Sequence, residues 1–137
     1  MTLEDAKVLV VEDSVGMQSY VVHLLKRLNV QSIEVCDNGK QALQRLKSFL
    51  PDVILSDIHM APVDGFEFLR RLRECRPDTS RGWTPLIYLS ADASVESLRA
   101  AIAQGAAGYI VKPPRPEVLR IKLLQAMNGG EAFSAAT

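Results

Sequence analysis

The fold is decided by the stretch Val8-Leu9-Val10-Val11-Glu12-Asp13, in which four apolar residues run directly into two carboxylates. Three of these apolar residues are valine, and β-branched side chains favour an extended strand. The run has no alternation of apolar and polar residues, which is typical of a parallel strand buried on both faces. The stretch therefore predicts a central strand whose carboxyl end carries Glu12 and Asp13.

The same pattern recurs along the chain. Four further apolar runs cover residues 33–36, 53–55, 86–89 and 109–111. Between them, apolar residues at steps of three and four predict five helices, over about 15–28, after the cap Asn38, and over about 66–75, 95–104 and 116–127. Strands and helices that alternate in this way predict an α/β protein with a doubly wound, five-stranded parallel sheet and five helices.

Composition excludes several classes of function. The chain has 137 residues, of which 47% are hydrophobic, and this suits one domain with one core. The net charge of zero argues against direct nucleic-acid binding through a global positive field. No apolar run approaches the ~20 residues of a membrane span. We expect residues 1–127 to form the domain, and residues 128–137 to be a flexible tail or the start of a linker.

Polar residues follow the predicted strands at the points where those strands end. Glu12 and Asp13 follow the first strand, Asp57 the third, Ser90 the fourth and Lys112 the fifth. The carboxyl ends of parallel strands meet at one rim of a sheet, where ligands bind. Clustered carboxylates repel unless a cation lies among them, and oxygen ligands without a Cys or His cluster favour Mg²⁺. The set predicts phosphorylation of Asp57, with Ser90 and Lys112 holding phosphoryl oxygens.

Five motifs in this order resemble the response-regulator receiver family of two-component signalling. They are Val8-Leu9-Val10-Val11-Glu12-Asp13, Ser56-Asp57-Ile58-His59-Met60, Asp64-Gly65, Leu89-Ser90-Ala91 and Tyr109-Ile110-Val111-Lys112-Pro113. The resemblance covers about residues 7–127. It implies a flavodoxin-like sheet with the strand order 2-1-3-4-5.

The resemblance also implies how the acidic residues divide their roles. Asp13, Asp57 and the backbone carbonyl of His59 would bind Mg²⁺ directly, and Glu12 would act through water. Asp57 would be the phosphoacceptor. The donor would be a histidine kinase or a histidine phosphotransfer protein, so the chain would be a signalling phosphoacceptor rather than an enzyme.

A switch is implied in the same way. Ser90 and Tyr109 would form the switch pair, with the hydroxyl moving onto the phosphoryl group and the ring turning inward. The fourth helix, fifth strand and fifth helix would then present a face to a downstream target protein or to a phosphorylation-dependent dimer. The Lys112–Pro113 bond would be cis. We expect a cytoplasmic protein that stands alone or lacks its output domain.

Two positions depart from the family pattern. Ala61 stands where a proline usually follows the methionine, and Pro62 comes one residue later. Arg115 stands where a capping Thr, Ser or Asp is usual, so the fifth helix would begin on Pro116 without a side-chain cap. None of the pocket residues is replaced.

Other interpretations stay open. A phosphatase of the haloacid-dehalogenase type would need an Asp two residues after the nucleophile, where this chain has His59. A flavodoxin would need a Ser/Thr/Gly phosphate loop after the first strand, where Glu12 and Asp13 would repel a phosphate. A degenerate receiver would lack the acidic pocket. Tyr109 could be core packing, and the basic run from Arg70 to Arg81 could be a solvated face or a docking patch for an acidic partner.

Overall fold

The structure is a computed structural model that describes residues 1–75 and 84–128. Five parallel strands form one sheet in the order β2-β1-β3-β4-β5, which confirms the expected topology. Their bounds are β1 Lys7–Val11, β2 Ser32–Cys36, β3 Val53–Ser56, β4 Leu86–Ser90 and β5 Gly108–Val111. β1 lies inside the sheet, where it pairs with β2 on one side and with β3 on the other.

Five helices cover the sheet on its two faces. Their bounds are α1 Val15–Arg27, α2 Gly39–Arg45, α3 Gly65–Cys75, α4 Val95–Ala103 and α5 Pro116–Asn128. Leu25 of α1 and Leu119 of α5 belong to one buried cluster. Ala42 of α2, Phe68 of α3 and Ala101 of α4 belong to the other. The sheet is therefore doubly wound, as predicted.

The unbroken apolar runs are explained by this arrangement. Val8 and Val10 of β1 contribute to the cluster beneath α1 and α5. Leu9 and Val11 contribute to the cluster beneath α2, α3 and α4. All four are at most 1% exposed, because successive side chains of a strand point to opposite faces and both faces are covered.

Several helix ends follow from local sequence. The Asn38 side chain accepts a hydrogen bond from the Gln41 backbone N–H at 2.9 Å, as expected of a cap. Gln41 reaches back to the N–H of Asp37 at 2.9 Å, one residue before the cap, and not to the cap itself. Gly105 takes a φ of 78° just after α4, as expected of a glycine that ends a helix.

The predicted boundaries need small corrections. α5 includes Asn128, which was assigned to the tail. Residues 129–137 of that tail, and residues 76–83 of a predicted loop, lie outside the described residues. Within the described part of the chain, no helix is both long and apolar enough to span a membrane.

Candidate functional site

Sheet register brings the two buried carboxylates side by side. Val11 is the partner of Ser56 across β1 and β3, so the residues that follow, Glu12 and Asp57, leave the sheet together. The backbone N–H of Asp57 donates to the Val11 carbonyl at 2.9 Å, which extends the pairing by one step. The acidic pocket is therefore a direct consequence of strand pairing at the carboxyl rim.

Asp57 is held at both of its oxygens. Oδ1 accepts a hydrogen bond from the Ile58 N–H at 2.7 Å, and Oδ2 accepts one from Lys112 Nζ at 3.0 Å. Gly65, the first residue of α3, packs directly beneath, since a Cβ built there would lie 2.3 Å from the Asp57 carbonyl oxygen. Only glycine allows α3 to approach this closely. Asp57 as a whole is buried, with 8% of its surface exposed.

Glu12 and Lys112 form an ion pair in the pocket, with little of either side chain exposed. Lys112 Nζ donates to Glu12 Oε1, and Glu12 Oε2 accepts from the Ser14 N–H at 2.9 Å. Burial raises the pKa of Glu12, although the bonds from Lys112 and Ser14 oppose the change. Burial alone would lower the pKa of Lys112, but its bonds to Glu12 and Asp57 raise the pKa overall. The ammonium therefore remains charged between the two carboxylates.

Asp13 completes an acidic cluster that is open to solvent. It is exposed, and one oxygen from each of Glu12, Asp13 and Asp57 lies within 4.8 Å of the others. Opposite ligands of an octahedral Mg²⁺ lie about 4.2 Å apart, because each metal–oxygen bond is about 2.1 Å. The cluster is thus close to the size of a hard-cation site, with Asp13 leaving room for water ligands. These residues could hold a metal.

Ser90 and Tyr109 meet through the loop after β4. Ser90 is 1% exposed, and its Oγ accepts a hydrogen bond from the Asp92 N–H at 3.1 Å. The Tyr109 hydroxyl donates to the Asp92 carbonyl, so it does not point into solvent as simple core packing would allow. The two residues of the predicted switch pair are therefore both bonded to the backbone of Asp92.

Asp92 is a site residue that the sequence analysis missed. Its carboxylate accepts bonds from the Ser97 hydroxyl at 2.5 Å and the Ser94 N–H at 2.8 Å, and it lies 3.1 Å from His59 Nε2. These contacts, those of Ser97 and Ser94 foremost, hold the pKa of Asp92 well below its usual range. The available signal was an Asp two residues before the helix cap Ser94, which is typical of an Asx turn.

His59 has a role beyond the one predicted for its backbone. The side chain is 67% exposed and links the loop after β3 to the loop after β4 through Asp92. These two loops flank Asp57. The backbone of His59 lies two residues after Asp57, in the loop that follows the phosphoacceptor candidate.

Tyr88 was also missed, because it lies inside an apolar run. Its hydroxyl lies 2.8 Å from Gln104 Oε1 and 3.1 Å from the Gly65 carbonyl, and Gln104 Nε2 donates to the Phe66 carbonyl at 2.9 Å. The Tyr88 ring also stands edge-on to the Tyr109 ring, with centroids 6.4 Å apart. Tyr88 and Gln104 thus tie the start of α3 to the end of α4, behind Tyr109.

The loop after Asp57, which contains the displaced Pro62, has an unusual backbone. Both the Ala61–Pro62 and the Lys112–Pro113 bonds are cis, and the second confirms an expectation. Val63 has a φ of 65°, and its carbonyl accepts a bond from the Gly39 N–H at 3.1 Å. The loop therefore rests on the first residue of α2.

The fold and this rim define a class of protein. A family model described as the response regulator receiver domain matches residues 8–124. The chain therefore belongs to the response regulator receiver family.

Individual relatives agree with this assignment. The chain is 34% identical to chemotaxis protein CheY4 of Vibrio cholerae, with a TM-score of 0.78 over 88% of this chain and 98% of that one. It is 28% identical to the receiver domain of a signal transduction histidine kinase from Syntrophus aciditrophicus, with a TM-score of 0.78 over 96% and 97% of the two chains.

Curated relatives are longer proteins. The chain is 29% identical to the transcriptional regulatory protein ZraR of Klebsiella oxytoca over 93% of this chain and 27% of that protein. It is 27% identical to ZraR of Escherichia coli K12 over 100% of this chain and 30% of that protein. The chain thus spans less than a third of the length of these relatives.

Proposed function

We propose that the chain accepts a phosphoryl group on Asp57 from a histidine kinase or a histidine phosphotransfer protein, and that Mg²⁺ is required. One observation carries the proposal: Asp57 Oδ2 lies 3.0 Å from Lys112 Nζ, inside a cluster whose carboxylate oxygens lie within 4.8 Å. A carboxyl nucleophile, a cation and a candidate metal site therefore occupy the same small volume.

The residues present have the chemistry that the transfer needs. A carboxylate oxygen of Asp57 would form a bond to phosphorus as the bond from phosphorus to the donor imidazole nitrogen breaks, and that nitrogen keeps the electron pair. Lys112 now bonds to Asp57 and would pair with a phosphoryl oxygen of the product. Mg²⁺ bound by Asp13, Asp57 and the His59 carbonyl, with Glu12 acting through water, would supply positive charge against the phosphoryl oxygens.

The proposed response begins at Ser90. Its hydroxyl can donate to a phosphoryl oxygen while Ser90 Oγ still accepts from the Asp92 N–H, so a movement of Ser90 toward the phosphoryl group would also move the loop after β4. That adjustment would also release the Tyr109 hydroxyl from Asp92, so that its ring could move inward. A phosphoryl group that favours one arrangement shifts the population between the two.

The proposed output surface is the face formed by α4, β5 and α5. Each element exposes one large apolar side chain there: Val95 is 57% exposed, Val111 is 47% and Ile121 is 50%. Such residues suit a downstream target protein or a phosphorylation-dependent dimer. Output would pass through protein contacts and not through direct binding of nucleic acid by this chain.

The remaining expectations belong to the same proposal. Residues 1–128, with Asn128 at the end of α5, would act as one receiver domain, and residues 129–137 would be a tail or linker. The protein would work in the cytoplasm, where histidine kinases present their phosphoryl groups. It would promote only its own phosphorylation and slow dephosphorylation.

The test uses acetyl phosphate as a small donor. With Mg²⁺, the intact mass should rise by one phosphoryl group, and hydroxylamine should remove that group, as it does from an acyl phosphate. Chelation of Mg²⁺ should prevent the reaction. Asp57→Asn should stay unlabelled while Asp52→Asn, a change at another aspartate, is labelled like the wild type. Labelling of Asp57→Asn at wild-type stoichiometry would contradict the proposal.

A further inference from the structure

A groove separates α2 from α3, away from the acidic rim. Its volume is about 670 Å³, within the range of ligand-binding clefts. Leu43 and Leu46 of the α2 segment supply apolar lining, and cationic side chains line it on both sides. Apolar lining surrounded by charged side chains is typical of a surface that binds another molecule.

The α2 side of the groove carries a regular stripe. Lys40, Leu43 and Gln44 line it from one side of α2, where they are spaced by three and four residues or adjacent, and Lys47 lines it from the turn that follows the helix. Lys40 and Lys47 at the ends of the stripe are exposed. Among the described residues neither lysine forms an ion pair, whereas Arg45 nearby pairs with Glu34 at 3.1 Å. The two lysine charges therefore face the groove and solvent.

The α3 side is also basic, but its cations are held in place. Arg70 bonds to Glu67 and to Glu74, and Arg71 Nε donates to Glu67 at 2.7 Å. These contacts run along α3 and fix the two guanidinium groups on the surface. Four cations and one carboxylate, Glu74, line the groove, so its charge is positive although the whole chain is neutral.

We infer that this groove binds an acidic segment of a partner protein that carries a large apolar side chain. The apolar residue would lie on Leu43 and Leu46, and its acidic neighbours would pair with Lys40, Lys47 and Arg71. A small free anion fits less well, because the lining offers exposed ammonium groups above leucine and no buried donor. The surface lies on α2 and α3, so it is separate from the output face on α4, β5 and α5. The inference thus goes beyond the proposed phosphorylation.

The probe is a short Glu-rich helical peptide with a leucine and a phenylalanine about four residues apart on one face. One matched peptide replaces both apolar residues by alanine, and a second replaces the glutamates by glutamine. Amide NMR shifts of the ¹⁵N-labelled protein are followed during titration, without Mg²⁺ or a phosphoryl donor. Failure of the peptide to bind can therefore be distinguished from failure of Asp57 to accept a phosphoryl group.

The variants test the lysines directly. The double variant Lys40→Glu, Lys47→Glu should bind the probe peptide about tenfold more weakly or worse, because two attractive charges become repulsive ones. The matched control is Lys26→Glu with Arg27→Glu, two exposed charges at the end of α1 on the other face of the sheet. The control should leave affinity within about twofold. An unchanged spread of amide peaks verifies that each variant is folded.

The inference is supported if shifts concentrate in residues 39–47 and 65–75 and both matched peptides bind more weakly. It is overturned if the alanine peptide binds equally well, or if the control pair weakens binding as much, since either result means diffuse attraction of charge. It is also overturned if shifts fall elsewhere, or if the probe does not bind at about 1 mM. Concentration-dependent shifts of the same residues without probe would instead assign the groove to a second copy of the chain.

Discussion

The two halves of the carboxyl rim differ in what their polar groups are bonded to. In the acidic half, Glu12 and Asp57 share one ammonium, that of Lys112, and present oxygens that lie close to those of Asp13. In the other half, Ser90 and Tyr109 are both bonded to the backbone of Asp92. In the first half, charged carboxylates surround one cation. In the second half, the two hydroxyl groups are hydrogen-bonded to the protein's own backbone.

Under the proposed function, each half has a separate task. A cluster of carboxylates with a single cation gains from a metal and a phosphoryl group, because both complete its electrostatics. The Ser90 hydroxyl can still donate to a phosphoryl group, and because its oxygen is bonded to the Asp92 N–H, its movement would be passed on to the loop after β4. We therefore propose that the first half serves binding and that the second half reports this binding through α4 and β5.

The largest effect should come from Lys112→Met, which removes the only cation that contacts Glu12 and Asp57 among the described residues. We expect the free energy of unfolding to fall by roughly 3 kcal/mol, because breaking a buried ion pair leaves uncompensated charge. Urea unfolding measures it, with exposed Lys26→Met as the control. Added Mg²⁺ should recover part of the loss. Equal unfolding midpoints for the wild type and Lys112→Met would contradict this account of the acidic half.

A smaller effect is expected from Gly65→Ala, which tests the tight packing beneath Asp57. The new Cβ would lie 2.3 Å from the Asp57 carbonyl oxygen and 2.8 Å from Ile58 Cα, and both neighbours are backbone atoms. We expect a loss of about 1–3 kcal/mol from overpacking, together with weaker Mg²⁺ binding.

Gly16→Ala is the matched control for that substitution, because no atom lies within 4 Å of a Cβ built in α1 at this position. Replacing a helical glycine by alanine there should stabilise the protein by about 0.5–1 kcal/mol. Thermal unfolding of the two variants should therefore change in opposite directions. Two changes of the same sign would show that the approach of α3 to Asp57 is not tight.

The smallest effect on stability is expected from Asp92→Ala, in the reporting half. The pKa of Asp92 is lowered in the folded state, so its stabilising contribution is fully present above the unfolded pKa of about 3.9 and is lost as the pH falls below it. The variant should thus unfold at a lower temperature than the wild type at pH 7, and the gap should close on acidification. Asp92→Asn, which can still accept the Ser94 N–H, should lie between the two. A gap that does not depend on pH would contradict the role of the carboxylate.

The two buried carboxylates could be predicted from the sequence because their geometry follows from strand pairing. Glu12 and Asp57 each come directly after a buried strand, and the two strands are neighbours in the sheet. Lys112 follows the edge strand β5, and its long side chain reaches both carboxylates. The cis bond before Pro113 was expected from the family resemblance and is present.

The reporting half could be predicted only in part. Ser90 and Tyr109 were identified, but Asp92, Tyr88 and Gln104 were not. Their hydrogen bonds join residues from different loops and helices, and such partners depend on tertiary packing. Tyr88 lies in an apolar run and is fully buried, so its sequence context did not indicate that its hydroxyl would bond to Gln104.

The most direct test of the division between binding and reporting is an amide NMR comparison with and without beryllofluoride, a phosphoryl mimic, in the presence of Mg²⁺. The account predicts shifts at the pocket loops that extend through Asp92 to α4 and Tyr109, and no such shifts in Asp57→Asn. Coupling of this kind typically changes a partner's affinity by roughly 5–150-fold. Shifts confined to the residues around Glu12, Asp13 and Asp57, with α4 and Tyr109 unchanged, would contradict it.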